Sequence, residues 1–121
     1  MAPMNTERRN ASRISCWLPV RLTISSQSAA IETLTKNVGL GGLKCVSPIE
    51  HPVSSLVTVE LSISNALERL RFRGRLAWFE IVPHSEQFFL GIAFTEYHSD
   101  SRRHLSAYLD KFVIRPQPVL V

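Results

Sequence analysis

Val57, Val59, Leu61 and Ile63 are apolar, and Thr58, Glu60, Ser62 and Ser64 between them are polar. Strand side chains point alternately to opposite faces, so this period of two predicts a strand with one wet face. The rhythm returns in Arg69-Leu70-Arg71-Phe72-Arg73-Gly74-Arg75-Leu76-Ala77-Trp78-Phe79-Glu80-Ile81. Pro83-His84-Ser85-Glu86 then turns the chain into Phe88-Phe89-Leu90-Gly91-Ile92-Ala93-Phe94, which predicts a long antiparallel pair. Upstream, the β-branched and aromatic stretch from Cys16 to Ile24 reads as a strand whose Pro19 marks an edge or a bulge. A small-polar break at Ser25-Ser26-Gln27-Ser28 precedes a second strand near Ile31 to Lys36. A turn over Asn37 to Gly42 follows, then extended chain at Leu43-Lys44-Cys45-Val46 and a proline-marked loop from Ser47 to Pro52. The period changes after Ser99-Asp100-Ser101, which offers helix N-cap chemistry. Leu105, Tyr108, Leu109, Phe112 and Val113 recur at three- and four-residue intervals, predicting one amphipathic helix.

Six or so strands with short turns and one closing helix imply a mostly β fold: a small six-stranded antiparallel β-barrel with one C-terminal α-helix. Closure removes exposed sheet edges. The 121 residues suffice for one domain with a core. Residues 1–13, polar and aperiodic, are expected to form a flexible basic N-terminal tail, 14–114 the barrel with its helix, and 115–121 a fraying C-terminal tail. No apolar run reaches the length of a membrane span, so no membrane insertion is expected, and Met1 to Glu7 lacks the apolar core of a secretory signal. These features point to a cytoplasmic protein.

Composition alters this picture in one respect. The formal charge is +4, and eleven arginines stand against three lysines. The planar arginine fork grips phosphate at two points and stacks on rings, so the excess leans toward phosphates and nucleobases. Two clusters sharpen the point: Arg8-Arg9-Asn10-Ala11-Ser12-Arg13, and the turn Asn37-Val38-Gly39-Leu40-Gly41-Gly42, where glycines are expected to take positive φ and aim backbone amides outward. Together they describe an anion-binding site. Cys16 and Cys45 lack CxxC spacing and read as buried free thiols. His51, His84, His98 and His104 show no ligand-like spacing, and no nucleophile stands beside a base at a recognisable elbow. Neither catalysis nor a metal is expected.

These clusters, in this order and β context, resemble the PilZ domain, a bacterial receptor module for cyclic di-GMP. Arg9-Asn10-Ala11-Ser12-Arg13 is similar to the family's RxxxR motif, with Arg8 as the extra arginine often found before it. Asn37-Val38-Gly39-Leu40-Gly41-Gly42 is similar to its D/N-x-S-x-x-G motif at Asn37 and Gly42. Leu76-Ala77-Trp78 and Leu90-Gly91-Ile92-Ala93-Phe94 look like its apolar-x-Trp and G-x-x-F strands. The resemblance spans residue 8 to about 112 and implies a six-stranded barrel, cyclic di-GMP as ligand with no cofactor, and an unidentified downstream protein as partner. It implies ligand contacts at Arg8, Arg9, Arg13, Asn37, Gly39, Gly42 and Trp78. Arg9 and Arg13 would meet the O6 and N7 acceptors of guanine, Arg8 a phosphate or a guanine face, and Asn37 a guanine edge.

One departure stands out: Gly39 occupies the serine position. Losing a hydroxyl that bonds a charged ligand weakens binding by roughly one to two decades, unless a backbone amide or a water takes its place. Trp78 is the expected stacking platform, although strict alternation with Leu70, Phe72 and Leu76 would put it in the core unless a bulge turns it. Two alternatives remain. One is a PilZ-like adaptor without nucleotide; the other is a basic barrel that binds nucleic acid along Arg69, Arg71, Arg73 and Arg75. Cross-strand pairing of those arginines with carboxylates such as Glu60 disfavours the latter.

Overall fold

The computed structural model describes residues 13–25, 30–63, 69–98 and 100–112. Arg8, Arg9, Ser26 to Ser28, Val113 and the 115–121 segment lie outside the described residues. The elements run β1 (Arg13–Ser15), β2 (Pro19–Ile24), β3 (Ile31–Gly39), β4 (Gly42–Ser47), β5 (Leu56–Leu61), β6 (Leu70–Ile81), β7 (Phe88–Tyr97) and α1 (Ser101–Asp110). Every pairing is antiparallel. The order is β1-β3-β2-β5-β6-β7-β4, and β4 also pairs with β3, so six strands close into a barrel and β1 is a seventh beside β3.

The alternation predicted from Val57 to Ser64 is observed over β5, with Val57, Val59 and Leu61 buried and Leu56 and Thr58 exposed; the strand ends at Leu61, Ile63 is buried beyond it, and Ser64 lies outside the described residues. Inward residues of all six barrel strands fill the interior, including the fully buried Leu22, Val38, Leu43, Val59, Leu76 and Leu90. Each buried aliphatic side chain stabilises the fold by about 1.5–3 kcal/mol. Phe72 stacks on Phe94 with ring centres 4.3 Å apart and meets Tyr97 edge-on.

The first predicted strand is interrupted. From Ser15 to Pro19 the chain advances four residues while β3 recedes three, from Asn37 to Leu34. The extra residue makes a bulge, and Pro19, lacking an N–H, opens β2 directly after it. Buried Thr35 stitches the bulge: its hydroxyl donates to the Cys16 carbonyl at 2.7 Å and accepts from the Leu18 N–H at 2.9 Å. Cys45 is buried as expected, and burial pushes its thiol up to about 12. Cys16, at the bulge, is only half-buried.

Helix α1 buries Leu105, Tyr108 and Leu109 as its periodicity predicts, while Phe112 lies past its end and is exposed. The expected side-chain cap is not formed. The Asp100 carboxylate pairs with Arg103 at 3.1 Å, and the buried Ser101 hydroxyl accepts from the Arg71 N–H at 2.9 Å, tying the helix to β6. No helix among the described residues is long and apolar enough to cross a membrane.

Candidate functional site

Register brings Arg13, the last residue of the first cluster, beside the second. Arg13, expected at the end of the tail, is instead the first residue of β1 and pairs with Gly39. Gly39 pairs with Gly42, Gly42 with Ala93 and Ala93 with Arg75, forming one cross-strand row. The neighbouring row runs Ser15, Asn37, Lys44, Gly91, Trp78. Between these rows Val38, Leu43, Ile92 and Leu76 point into the core, so both rows face outward. Across them the Arg13 Nη1 donates to Asn37 Oδ1 at 2.6 Å, joining residues 24 apart in sequence.

The stretch expected as a turn from Asn37 to Gly42 is mostly strand, and only Leu40 and Gly41 form the turn. Neither has positive φ; Gly42, with φ 159, sits at the border of extended backbone. Glycine is needed at 42 for close approach instead, because a Cβ there would collide with the Ile92 carbonyl. The turn is held from β7, where the Phe94 N–H donates to the Gly41 carbonyl at 2.9 Å and the Tyr97 hydroxyl to the Leu40 carbonyl. The site therefore stands on a fixed backbone.

Trp78 leaves the core face because β6 bulges at Ala77: Leu76 faces Ile92, yet Trp78 faces Gly91. The bulge falls where β6 loses β5 as a neighbour. Beyond Leu56 opposite Arg75, the loop takes over, with Ser54 N–H donating to the Leu76 carbonyl and Leu76 N–H to the Ser55 carbonyl. After the bulge Phe79 inherits the inward position and packs edge-on against Phe88. Trp78 is left 36% exposed, with its indole over Gly91, where a Cβ would clash with the ring.

Arg13, Gly41, Ala77, Trp78, Gly91, Ile92 and Ala93 line a depression of about 240 Å³. That is below the range of about 300–1,000 Å³ for pockets that enclose a small ligand, so it is too small to enclose one. Burial draws the Arg13 guanidinium below its ordinary value, and among the described residues it pairs with no carboxylate.

Arg69, Arg71, Arg73 and Arg75 do point outward together. Arg71 and Arg69 pair with Glu60 at 3.3 and 3.4 Å, and Arg21 stands in register between Glu32 and Glu60. This stripe is interleaved with carboxylates, whereas Arg13 forms no ion pair among the described residues. Lys44, expected as extended chain but not among the ligand contacts, lies in the second row beside Asn37. Its signal was available in its place between the inward Leu43 and Cys45.

The PilZ domain family matches residues 7–111, and the chain belongs to it. Members of this family are, in general, receptor and adaptor modules for cyclic di-GMP. No curated protein matches the chain in sequence. Among solved structures, the fold is similar to the Bacillus subtilis inhibitor of motility, MotI/DgrA, at 16% identity and TM-score 0.71, covering 87% of this chain and 51% of that one. It is similar to the PilZ domain of CeSA from a cellulose-synthesizing bacterium, at 14% identity and TM-score 0.57, covering 84% and 98%. It is also similar to a tetrameric PilZ-domain protein of Xanthomonas campestris, at 17% identity and TM-score 0.54, covering 72% and 48%. The chain thus spans about half the length of the first and third of these proteins.

Proposed function

We propose that this chain is a cytoplasmic receptor for cyclic di-GMP, bound on the face formed by Arg13, Asn37, Gly39, Gly42 and Trp78, with Arg8 and Arg9 reaching the ligand from the segment before β1. One observation carries the reading: Arg13 and Asn37, from the two motif positions, are hydrogen-bonded beside a depression that Trp78 also lines. In the complex the Arg13 fork meets the O6 and N7 edge of a guanine, Asn37 holds both Arg13 and the base, and the indole supplies a stacking surface. At Gly39 a water or a backbone amide replaces the hydroxyl. Binding draws residues 8–12 onto this face, which changes the surface offered to a downstream protein.

Calorimetric titration with cyclic di-GMP tests this. Arg13→Ala and Asn37→Ala each remove a charge-assisted contact and are expected to weaken binding by about ten- to a hundredfold. Undiminished binding in both variants would refute the assignment.

The substitution at Gly39 favours a second reading, a PilZ-type adaptor that acts by protein contacts without nucleotide. A motility inhibitor is among the similar folds, and Trp17 and Leu34 on the flank of β1 and β3 are exposed apolar side chains of the kind a partner covers. A flat wild-type titration that becomes measurable in Gly39→Ser would select this reading.

A further inference from the structure

The outward rows hold one cation to which no role has been given. Lys44 stands opposite Asn37 on one side and Gly91 on the other, and Gly91 in turn faces Trp78. Because Gly91 has no side chain, nothing rises from the sheet between the lysine stem and the indole. The ammonium lies 4.2 Å from the Phe89 ring centre and 5.8 Å from that of Trp78, and among the described residues it forms no ion pair.

We propose that Lys44 is a ligand-contacting residue that sets affinity, its ammonium meeting a phosphate of the cyclic dinucleotide while the indole takes a base. The inference rests on the cyclic di-GMP reading and deepens it. Three features support it. A partly exposed ammonium on ring faces is held weakly, so a phosphate within reach of its flexible four-carbon stem displaces that contact. Arg13 and Lys44 approach the face from opposite sides of β3, one on β1 and one on β4, so with the Arg13 fork on a guanine edge the ammonium is left free for a phosphate elsewhere on the ligand. Gly39 offers no hydroxyl, so more of the hold on the anion must come from charge.

The chain contains its own control. Lys36 forms the same kind of contact, 4.9 Å from the Trp17 ring centre; neither lysine itself lines the depression, but Lys44 reaches Trp78, which lines it, and Lys36 reaches Trp17, which does not. Cyclic di-GMP is titrated by calorimetry into wild type, Lys44→Met, Lys44→Arg and Lys36→Met, with thermal unfolding recorded for each. Lys44→Met is expected to bind about tenfold more weakly at an unchanged melting temperature, with Lys44→Arg within about threefold and Lys36→Met within about twofold of wild type. Equal loss in Lys36→Met would reduce the effect to net charge and overturn the assignment. So would wild-type affinity in Lys44→Met, with the receptor reading left standing. A wild type that does not bind overturns the receptor reading itself, and this assignment with it.

Discussion

Replacing Gly91 by alanine is expected to unseat Trp78. The new Cβ would land against Cε2, Nε1 and Cζ2 of the indole, while the ring's outer side faces solvent. Inserting one carbon into a packed site destabilises by about 1–3 kcal/mol. Here the ring can swing outward instead of forcing β6 and β7 apart, so the lower end applies, about 1 kcal/mol. For a domain of this size that lowers the melting temperature by roughly 3–6 °C. The effect on the ligand is larger than the effect on the fold. Stacking on an aromatic side chain contributes about 1–3 kcal/mol per base, so a displaced platform weakens cyclic di-GMP binding by about tenfold or more. In a Trp17→Phe background only Trp78 reports, and its emission shifts to the red as the ring enters water. Unchanged emission and melting would refute the packing argument. Shifted emission with undiminished affinity would refute the platform role.

Thr35→Val keeps the volume but removes both bonds that stitch the bulge, leaving the buried Leu18 N–H unsatisfied. Denaturant unfolding should show a loss of about 1–3 kcal/mol, and cyclic di-GMP affinity should fall too, because the bulge positions β1 and Arg13. His51 is buried with Nε2 unpartnered, and burial lowers its pKa from 6.5, so the unfolded chain binds its proton more readily than the folded one. That contribution is present above pH 6.5 and lost as pH falls through the folded value. Denaturation at stepped pH should show an acid decline that flattens in His51→Gln. Gly39→Ser restores the family hydroxyl and is expected to strengthen cyclic di-GMP binding by about tenfold in calorimetry; unchanged affinity would place the ligand away from that strand end.

Periodicity was enough to find β5, most of β6 and the inward face of α1, because each is a regular element with one wet side. The features that build the site are departures from regularity, which a period cannot carry. Strict alternation puts Trp78 inside, and only the Ala77 bulge, set by where β6 loses its β5 neighbour, brings it out. The glycines of the β3–β4 hairpin looked like positive-φ turn residues, yet Gly42 is required by the Ile92 carbonyl, a contact 50 positions away in sequence. Arg13 read as tail because a three-residue strand has no pattern of its own and exists by pairing with β3. Ser101 looked like a cap, and its hydroxyl serves β6 instead. The place of Lys44 between Leu43 and Cys45 marks it as outward, but only the register makes it a neighbour of Asn37 and Trp78.

The most direct test of the account is an amide-shift titration of the isotopically labelled full chain with cyclic di-GMP. Shifts are expected at Arg13 to Ser15, Asn37 to Gly42, Gly91 to Ala93 and the Trp78 indole N–H, with Trp17 and the Glu60–Arg71 stripe unmoved. Shifts confined to that stripe, or none at the Arg13 and Asn37 amides, would contradict it.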